Sequence, residues 1–227
     1  MSTQKCFSIQ FQEILKGKKM ALDLNEDKDL NEKVSDFFSK NKKNIILYSI
    51  IFLVFYFAST FYMSQGEKKY FLASDLYQKI QLANEITDAE GLANELKEKY
   101  ASTAYASRAS IYLGNIYFKN KDFSKAKESY KWASDNARET SIGSLANYQL
   151  GVMLFSQKDF DNAMLAANSI KDNGFIGLKN NLLGDLFSSL GKLEDARKSY
   201  QTAYEFYKDK NDLAKVVKIK IDSISQN

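Results

Sequence analysis

The sequence has 227 residues, of which 26% are charged, but its 32 basic and 28 acidic side chains leave a net charge of only +4. This balance, without a concentrated basic block, argues against a nucleic-acid-binding protein. The chain has no histidine and a single cysteine, Cys6. It therefore lacks the usual general base near neutral pH, and it can form neither an intrachain disulfide nor a thiolate zinc site.

Residues 1–44 are predicted to form an N-terminal segment in the cytoplasm. Apolar periodicity is weak here until Val34, Phe37 and Phe38, which predict a short amphipathic helix leading into the membrane. Residues 1–19 differ in character and end in a lysine-rich run whose codons would resemble a ribosome-binding site. A translation start at Met20 is therefore an alternative to Met1.

Residues 45–63 read IILYSIIFLVFYFASTFYM, without a charge. At about 1.5 Å per residue, a helix of this length spans roughly 28 Å, close to the hydrocarbon thickness of a bilayer. A buried core helix is one alternative, but core helices are rarely apolar on every face. A cleaved signal peptide is another, but it would end in small residues, whereas Tyr62 and Met63 stand at this exit. The sequence therefore predicts one retained transmembrane helix.

Lysines are unevenly distributed around this span. Five lie within about twenty residues before it and three within the same distance after it: Lys28, Lys33, Lys40, Lys42 and Lys43 before, and Lys68, Lys69 and Lys79 after. The positive-inside rule favours an N-terminus in the cytoplasm and residues 64–227 on the other side of the membrane.

An internal repeat follows the span. Leu-Gly pairs are followed at fixed distances by a large apolar residue, an alanine and, in two of the three copies, a tyrosine. The pairs are Leu113-Gly114, Leu150-Gly151 and Leu183-Gly184; the alanines are Ala126, Ala163 and Ala196; the tyrosines are Tyr130 and Tyr200, with Ala167 in the middle copy. This pattern matches the tetratricopeptide repeat of about 34 residues, which is a pair of antiparallel helices.

The predicted fold is all-α: a single N-terminal transmembrane helix, then a tetratricopeptide-repeat-like right-handed helical solenoid with a C-terminal capping helix. The repeats are predicted at about 74–106, 107–143, 144–176 and 177–210, and the cap at 212–225. The first repeat has Gln81 in place of the glycine, as expected of a terminal unit with one uncovered face. A dimerisation face is the alternative role for the last helix.

The sequence contains no recognisable catalytic constellation, phosphate-binding loop, cofactor motif or metal site. Two close acidic pairs, Asp159 with Asp161 and Glu194 with Asp195, lie at predicted starts of second helices. Carboxylates are stabilised there by the helix dipole. We therefore expect a protein-binding chain that is not an enzyme and needs no cofactor.

In this repeat class, positions 2, 5, 9 and 12 of each unit point into the concave face of the solenoid. The predicted protein-binding residues at these positions are Arg108, Ile111, Asn115, Phe118, Leu145, Tyr148, Val152, Phe155, Asn181 and Asp185, and Leu178 and Ser188 complete the set. The middle repeat is apolar at all four positions, which suits an extended polypeptide segment or a partner helix. The alternative is that the capping helix or the first helix pair fills this groove from within.

The order of these features resembles the YfgM family, ancillary subunits of the bacterial Sec translocon. The resemblance is carried by residues 34–42 (VSDFFSKNK) before the span, the three Leu-Gly repeats, residues 169–175 (SIKDNGF), Leu183-Gly184-Asp185 and residues 217–221 (VKIKI). It covers about residues 20–227. It implies a single-pass protein of the bacterial inner membrane with a periplasmic C-terminal domain, next to the translocon and a membrane-bound periplasmic chaperone, that assists exported polypeptides. A cytosol-facing membrane receptor or an envelope-assembly scaffold built from the same repeats is the alternative.

Overall fold

The computed structural model describes the backbone of residues 3–209 and 211–224 and the side chains of residues 29–209 and 212–224. All regular elements in the described residues are helical, and the predicted all-α class is confirmed. They are α1 (Thr3–Leu82), α2 (Ile86–Lys99), α3 (Ala104–Lys119), α4 (Phe123–Asn136), α5 (Thr140–Ser156), α6 (Phe160–Asn168), a 3-10 turn (Asn173–Phe175), α7 (Ile176–Ser189), α8 (Leu193–Tyr207) and α9 (Asn211–Ile224). The side chain of Met20, the alternative start, lies outside the described residues.

The chain divides into two units, residues 1–65 and residues 66–227. The first contains most of α1. The short separate helix expected around Val34 is instead part of α1, because no proline interrupts this stretch. Within the described residues, one helical stretch, Asp29–Leu82, is long and apolar enough to cross a membrane; its most apolar part has a mean hydropathy of 2.0 and none of it is buried in protein.

The second unit is built from helix pairs. Helices α3 and α4, α5 and α6, and α7 and α8 form three pairs whose first helices contact one another in sequence order. The end of α1 and α2 add Ala73, Ile80, Ala93 and Leu96 to the same buried core. Small and large apolar residues therefore alternate through the stack, which is how helices pack closely without voids.

The glycines of the Leu-Gly pairs make room for side chains of the neighbouring helices. A Cβ atom at Gly114 would lie 2.6 Å from the ring of Tyr130, and one at Gly184 would lie 2.4 Å from the ring of Tyr200. At Gly151 the nearest atom is a methyl carbon of Leu182, at 2.8 Å from such a Cβ. The middle repeat has Ala167 where the other two have tyrosine, so Leu182 of the next repeat fills the space.

The turn inside each repeat has the same backbone geometry. Lys121, Lys158 and Gly191 occupy equivalent positions, with φ angles of 63°, 62° and 71°. Asp122 and Asp159 follow the two lysines and accept hydrogen bonds from the backbone N–H groups of Lys125 and Asn162, so they cap α4 and α6. These turns fix the direction of each second helix relative to the first helix of the same repeat.

Candidate functional site

Helices α3, α5 and α7 carry the predicted protein-binding residues, and their exposure differs along the row. Arg108 and Asn115 are exposed on α3, whereas Ile111 is buried and Phe118 is half-buried. Leu145, Tyr148, Val152, Phe155, Asn181 and Asp185 are all half-buried. Most of the row is thus accessible from one side while its other side packs against the core.

A cavity of about 370 Å³ lies among the first helices. It brings together four predicted residues with five others: Arg108, Ile111, Asn115 and Leu145, with Tyr77, Tyr112, Ser141, Ile142 and Phe175. Its wall is mainly aliphatic and aromatic. Sequence reasoning missed Tyr77 and Phe175, because they lie on α1 and on the 3-10 turn rather than at a groove position of a repeat.

Arg108 is the charged residue that lines this cavity. Its guanidinium lies 3.7 Å from a carboxylate oxygen of Glu139 and 5.8 Å from the ring centre of Tyr105. Both members of this ion pair are about half-exposed, so the contact is weak and solvent-screened. Arg108 therefore has donors left for a carboxylate brought to the mouth of the cavity.

The aromatic residues at position 12 contact the turns. Phe118 lies 6.0 Å from Phe123, and Phe155 lies 5.9 Å from Phe160, both measured between ring centres. Tyr148 packs against the core, and burial, aided by the nearby Asp185, raises the pKa of its phenol. Replacing Tyr148 and Phe155 with serine would therefore cost stability as well as groove surface. A groove face of α5 that were fully open would predict nearly intact folding for that double variant, and these contacts argue against it.

The polar residues at position 9 have partners within their own repeats. The Tyr130 hydroxyl donates to Oδ1 of Asn115 over 2.7 Å, and the Tyr200 hydroxyl donates to Oδ1 of Asp185 over 2.6 Å. Burial, strengthened by the bond to Asp185, raises the pKa of Tyr200, and burial raises the pKa of Tyr130 to about 12. Asn115 and Asp185 thus support the tyrosines that fill the repeats, besides facing the groove.

Helix α9 reaches the last repeat of the row. Lys220 donates to the side chains of Asn181 at 2.9 Å and Asp185 at 2.7 Å. Helix α9 thus borders the polar end of the groove, and none of its residues lines the cavity near Arg108. No local pattern marks Lys220, because its partner Asp185 is 35 residues away in the chain.

Among the residues that the structure describes, no group of three or more His, Cys, Asp or Glu could hold a metal ion. One polar cluster lies away from the groove, where Glu90 accepts hydrogen bonds from Tyr117 and Lys125. Both hydrogen bonds lower the pKa of Glu90, and the bond from Tyr117 has the larger effect on it. The cluster joins α2, α3 and α4.

Comparison with known proteins gives two matches. The family described as "Tetratricopeptide repeat-like domain" matches residues 35–226. A curated protein of Aggregatibacter actinomycetemcomitans named "Ancillary SecYEG translocon subunit" is 28% identical over 189 residues, which are 82% of this chain and 92% of the relative. No solved structure matches significantly. Together the matches support the resemblance to the YfgM family.

Proposed function

The chain belongs to the tetratricopeptide repeat-like family, and on that premise we propose that it is a non-catalytic accessory subunit of the Sec translocon that binds polypeptides emerging from it. The observation that carries the proposal is the apolar cavity beside Arg108, which four predicted groove residues help to line. Mainly apolar walls with a few polar groups among them, Arg108 the charged one, suit a polypeptide side chain that is transiently exposed.

The proposed location follows from the helix that can cross a membrane. Residues 45–63 would span the bacterial inner membrane once, residues 1–44 would lie in the cytoplasm, and residues 64–227 would lie in the periplasm. The lysine group Lys40, Lys42 and Lys43 supports this orientation. The repeat domain would then lie on the side of the membrane where exported chains appear.

The proposed partners are of three kinds: the translocon, a membrane-bound periplasmic chaperone and the exported polypeptides themselves. The name of the Aggregatibacter relative supports the first. The chaperone rests on the resemblance to the YfgM family, and the exported polypeptides rest on that resemblance and on the apolar groove. The proposed role in the complex is that of a scaffold that holds exported segments before they fold.

Site-specific photocrosslinking in cells tests this function. A photoreactive amino acid replaces Arg108 or Asn115, which are exposed on α3, and in the control it replaces Lys127 or Lys131, which are exposed on α4. We expect adducts with translocon subunits and with exported chains from the α3 positions and few from the α4 positions. Equal adducts from both helices, or adducts with neither class of partner, would contradict the proposal.

A further inference from the structure

Helix α9 has the pattern of a first helix of a fifth repeat. Shifting α7 by 35 residues places Leu213, Val216 and Lys220 at the positions of Leu178, Asn181 and Asp185. The buried residues follow the same shift: Val217 and Ile221 are buried, as are Leu182 and Leu186 of α7. Helix α9 therefore packs against α8 in the register of a first helix, and it reaches α7 through the side chain of Lys220.

One face of α9 is charged. Lys218 and Asp222, at the positions of Leu183 and Phe187 in α7, are both exposed and form an ion pair at 2.9 Å. The other two faces of α9 are the one packed on α8 and the one that continues the groove.

The groove side of α9 is apolar and open. Leu213 is 48% exposed and Val216 is 52% exposed. Lys220 lies four residues after Val216 and seven after Leu213, so the three share one helix face. Since Lys220 contacts Asn181 and Asp185, which are groove positions of α7, that face of α9 borders the groove.

We infer that the groove extends over α3, α5, α7 and α9 and takes an amphipathic helix of the partner, with an apolar residue at about every seventh position and a carboxylate at the end that meets Arg108. The inference rests on the proposed function and specifies its ligand.

The spacing of the groove favours a helical ligand. Packed helices lie about 8–10 Å apart, so equivalent groove positions repeat at about that distance. In a helix, residues seven apart share a face and lie about 10.5 Å apart. In a strand, same-face residues lie about 6.7 Å apart, which fits the repeat poorly. Three steps from α3 to α9 correspond to about 20 helical residues.

Charge gives the ligand its direction. Asp185 and Lys220 neutralise each other at one end of the groove, at 2.7 Å. Arg108, at the other end, has only the loose contact to Glu139 described above. A carboxylate of the ligand is therefore better placed beside Arg108 than beside Lys220.

Fluorescence anisotropy on the full-length chain in lipid nanodiscs tests this inference. The probe is a labelled alanine-based peptide of 24 residues with leucine at every seventh position and glutamate beside the leucine at one end only. One control peptide has two central prolines, and another has the same leucines spaced every second residue. We expect the probe to bind at least tenfold more tightly than either control. Absent binding of the probe, or equal binding of an extended control, would overturn the helical ligand.

Matched variants of α9 test the extent of the groove. The double substitution Leu213→Ser and Val216→Ser should weaken binding of the probe at least fivefold. Lys218→Ser should change it less than twofold, because Lys218 is also exposed but lies on the opposite face of the same helix. All three residues are exposed, so melting curves should stay unchanged. Equal effects of the two variants would overturn the extension to α9.

A charge exchange tests the direction. Arg108→Glu should weaken binding of the glutamate probe several-fold. The variant should also bind a probe with lysine in place of glutamate more tightly than the unmodified protein does. A lack of this exchange would overturn the assignment of Arg108. Sedimentation of the protein alone tests whether a second copy of the chain occupies the groove. Dimers that dissociate when the probe is added would show that the occupant is this second copy and not a partner helix. If the probe binds as expected but photocrosslinking finds no translocon or exported chain, the proposed function fails while the ligand class stands.

Discussion

Two serines at the first position of successive repeats, Ser107 and Ser144, are both buried but differ in their hydrogen bonding. The hydroxyl oxygen of Ser144 accepts hydrogen bonds from the backbone N–H groups of Lys171, at 3.1 Å, and Asp172, at 3.0 Å. It thereby holds the loop between α6 and α7, which carries Phe175 toward the cavity. The hydroxyl of Ser107 is buried without a hydrogen-bond partner among the described residues.

This difference predicts opposite responses to the same substitution. Ser144→Ala should lower the free energy of unfolding by about 1–3 kcal/mol, because two backbone donors lose their acceptor. Ser107→Ala should be neutral or slightly stabilising, because it removes a polar group whose burial is uncompensated. Thermal denaturation followed by circular dichroism measures both. Equal losses would mean that Ser107 has a partner or that the loop does not depend on Ser144.

At the scale of helices, three features of a repeat occur together: the glycine of the Leu-Gly pair, the polar residue directly after this glycine, and the tyrosine of the second helix. Gly114 and Gly184 receive the rings of Tyr130 and Tyr200, whose hydroxyls bond to Asn115 and Asp185. The middle repeat lacks the tyrosine and has Val152 at the acceptor position. Without the tyrosine hydroxyl, a polar residue at this position would have no hydrogen-bond donor. The loss of the tyrosine and the apolar residue at the acceptor position therefore go together.

The second prediction compares alanine at three glycines. Gly184→Ala should destabilise the domain by about 1–3 kcal/mol, because its Cβ would overlap a ring held by Asp185. Gly151→Ala should cost less, because its Cβ meets the movable methyl end of Leu182. Gly151→Leu should destabilise the domain by about 1–3 kcal/mol, since a larger side chain would also meet Ala163 and Ala166 of α6.

Gly91→Ala is the control for these variants. This glycine lies inside α2 and an added Cβ would contact nothing within 4 Å. Alanine there should stabilise the helix by about 0.5–1 kcal/mol, since it restricts the unfolded chain and favours helix. If Gly184→Ala melts no lower than Gly151→Ala, the ring of Tyr200 does not pack on α7 as described.

Helix α9 shows what the sequence could and could not predict about an element. Its position and length follow from its apolar residues, and the structure places it at Asn211–Ile224. Its rotation does not follow from them. By spacing alone, Leu213 and Val216 could share a buried face with Val217 and Ile221, whereas the structure buries only Val217 and Ile221 of these four. The apolar residues of α9 spread around more than half of its circumference, so they do not select one buried face. The rotation in the structure agrees with the ion pair of Lys220 with Asp185, a long-range contact that no local periodicity contains.

For the molecule as a whole, the sequence predicts the fold well because each repeat carries its own register. The Leu-Gly pairs fix which residues of a first helix face its partner helix. The same register also gives the groove positions of α3, α5 and α7. The cavity was not predictable, because Tyr77 and Phe175 come from elements outside that register. The continuity of α1 was also missed, since its polar stretch between 64 and 69 suggests an end, although Gly66 alone does not break a helix.

The last prediction concerns how the whole chain crosses the membrane. Charged groups near a span resist translocation, and Lys40, Lys42 and Lys43 form the densest basic group beside residues 45–63. A reporter enzyme that is active only outside the cytoplasm, fused after Asn227, should therefore be active. The same reporter fused after Lys43 should be inactive, and a cytoplasm-specific reporter should show the reverse at both sites.

The lysines themselves can be tested in the same fusion. Replacing Lys40, Lys42 and Lys43 with glutamine should lower the activity of the reporter after Asn227, because the remaining lysines on the two sides then nearly balance: Lys28 and Lys33 before the span, and Lys68, Lys69 and Lys79 after it. Replacing Lys119, Lys127 and Lys131 with glutamine is the control, since these lie far from the span and should not affect orientation. An inactive reporter after Asn227 in the unmodified chain would place the groove in the cytoplasm. Exported chains could not then be its ligands, and the repeats would instead act as a membrane receptor for cytosolic proteins.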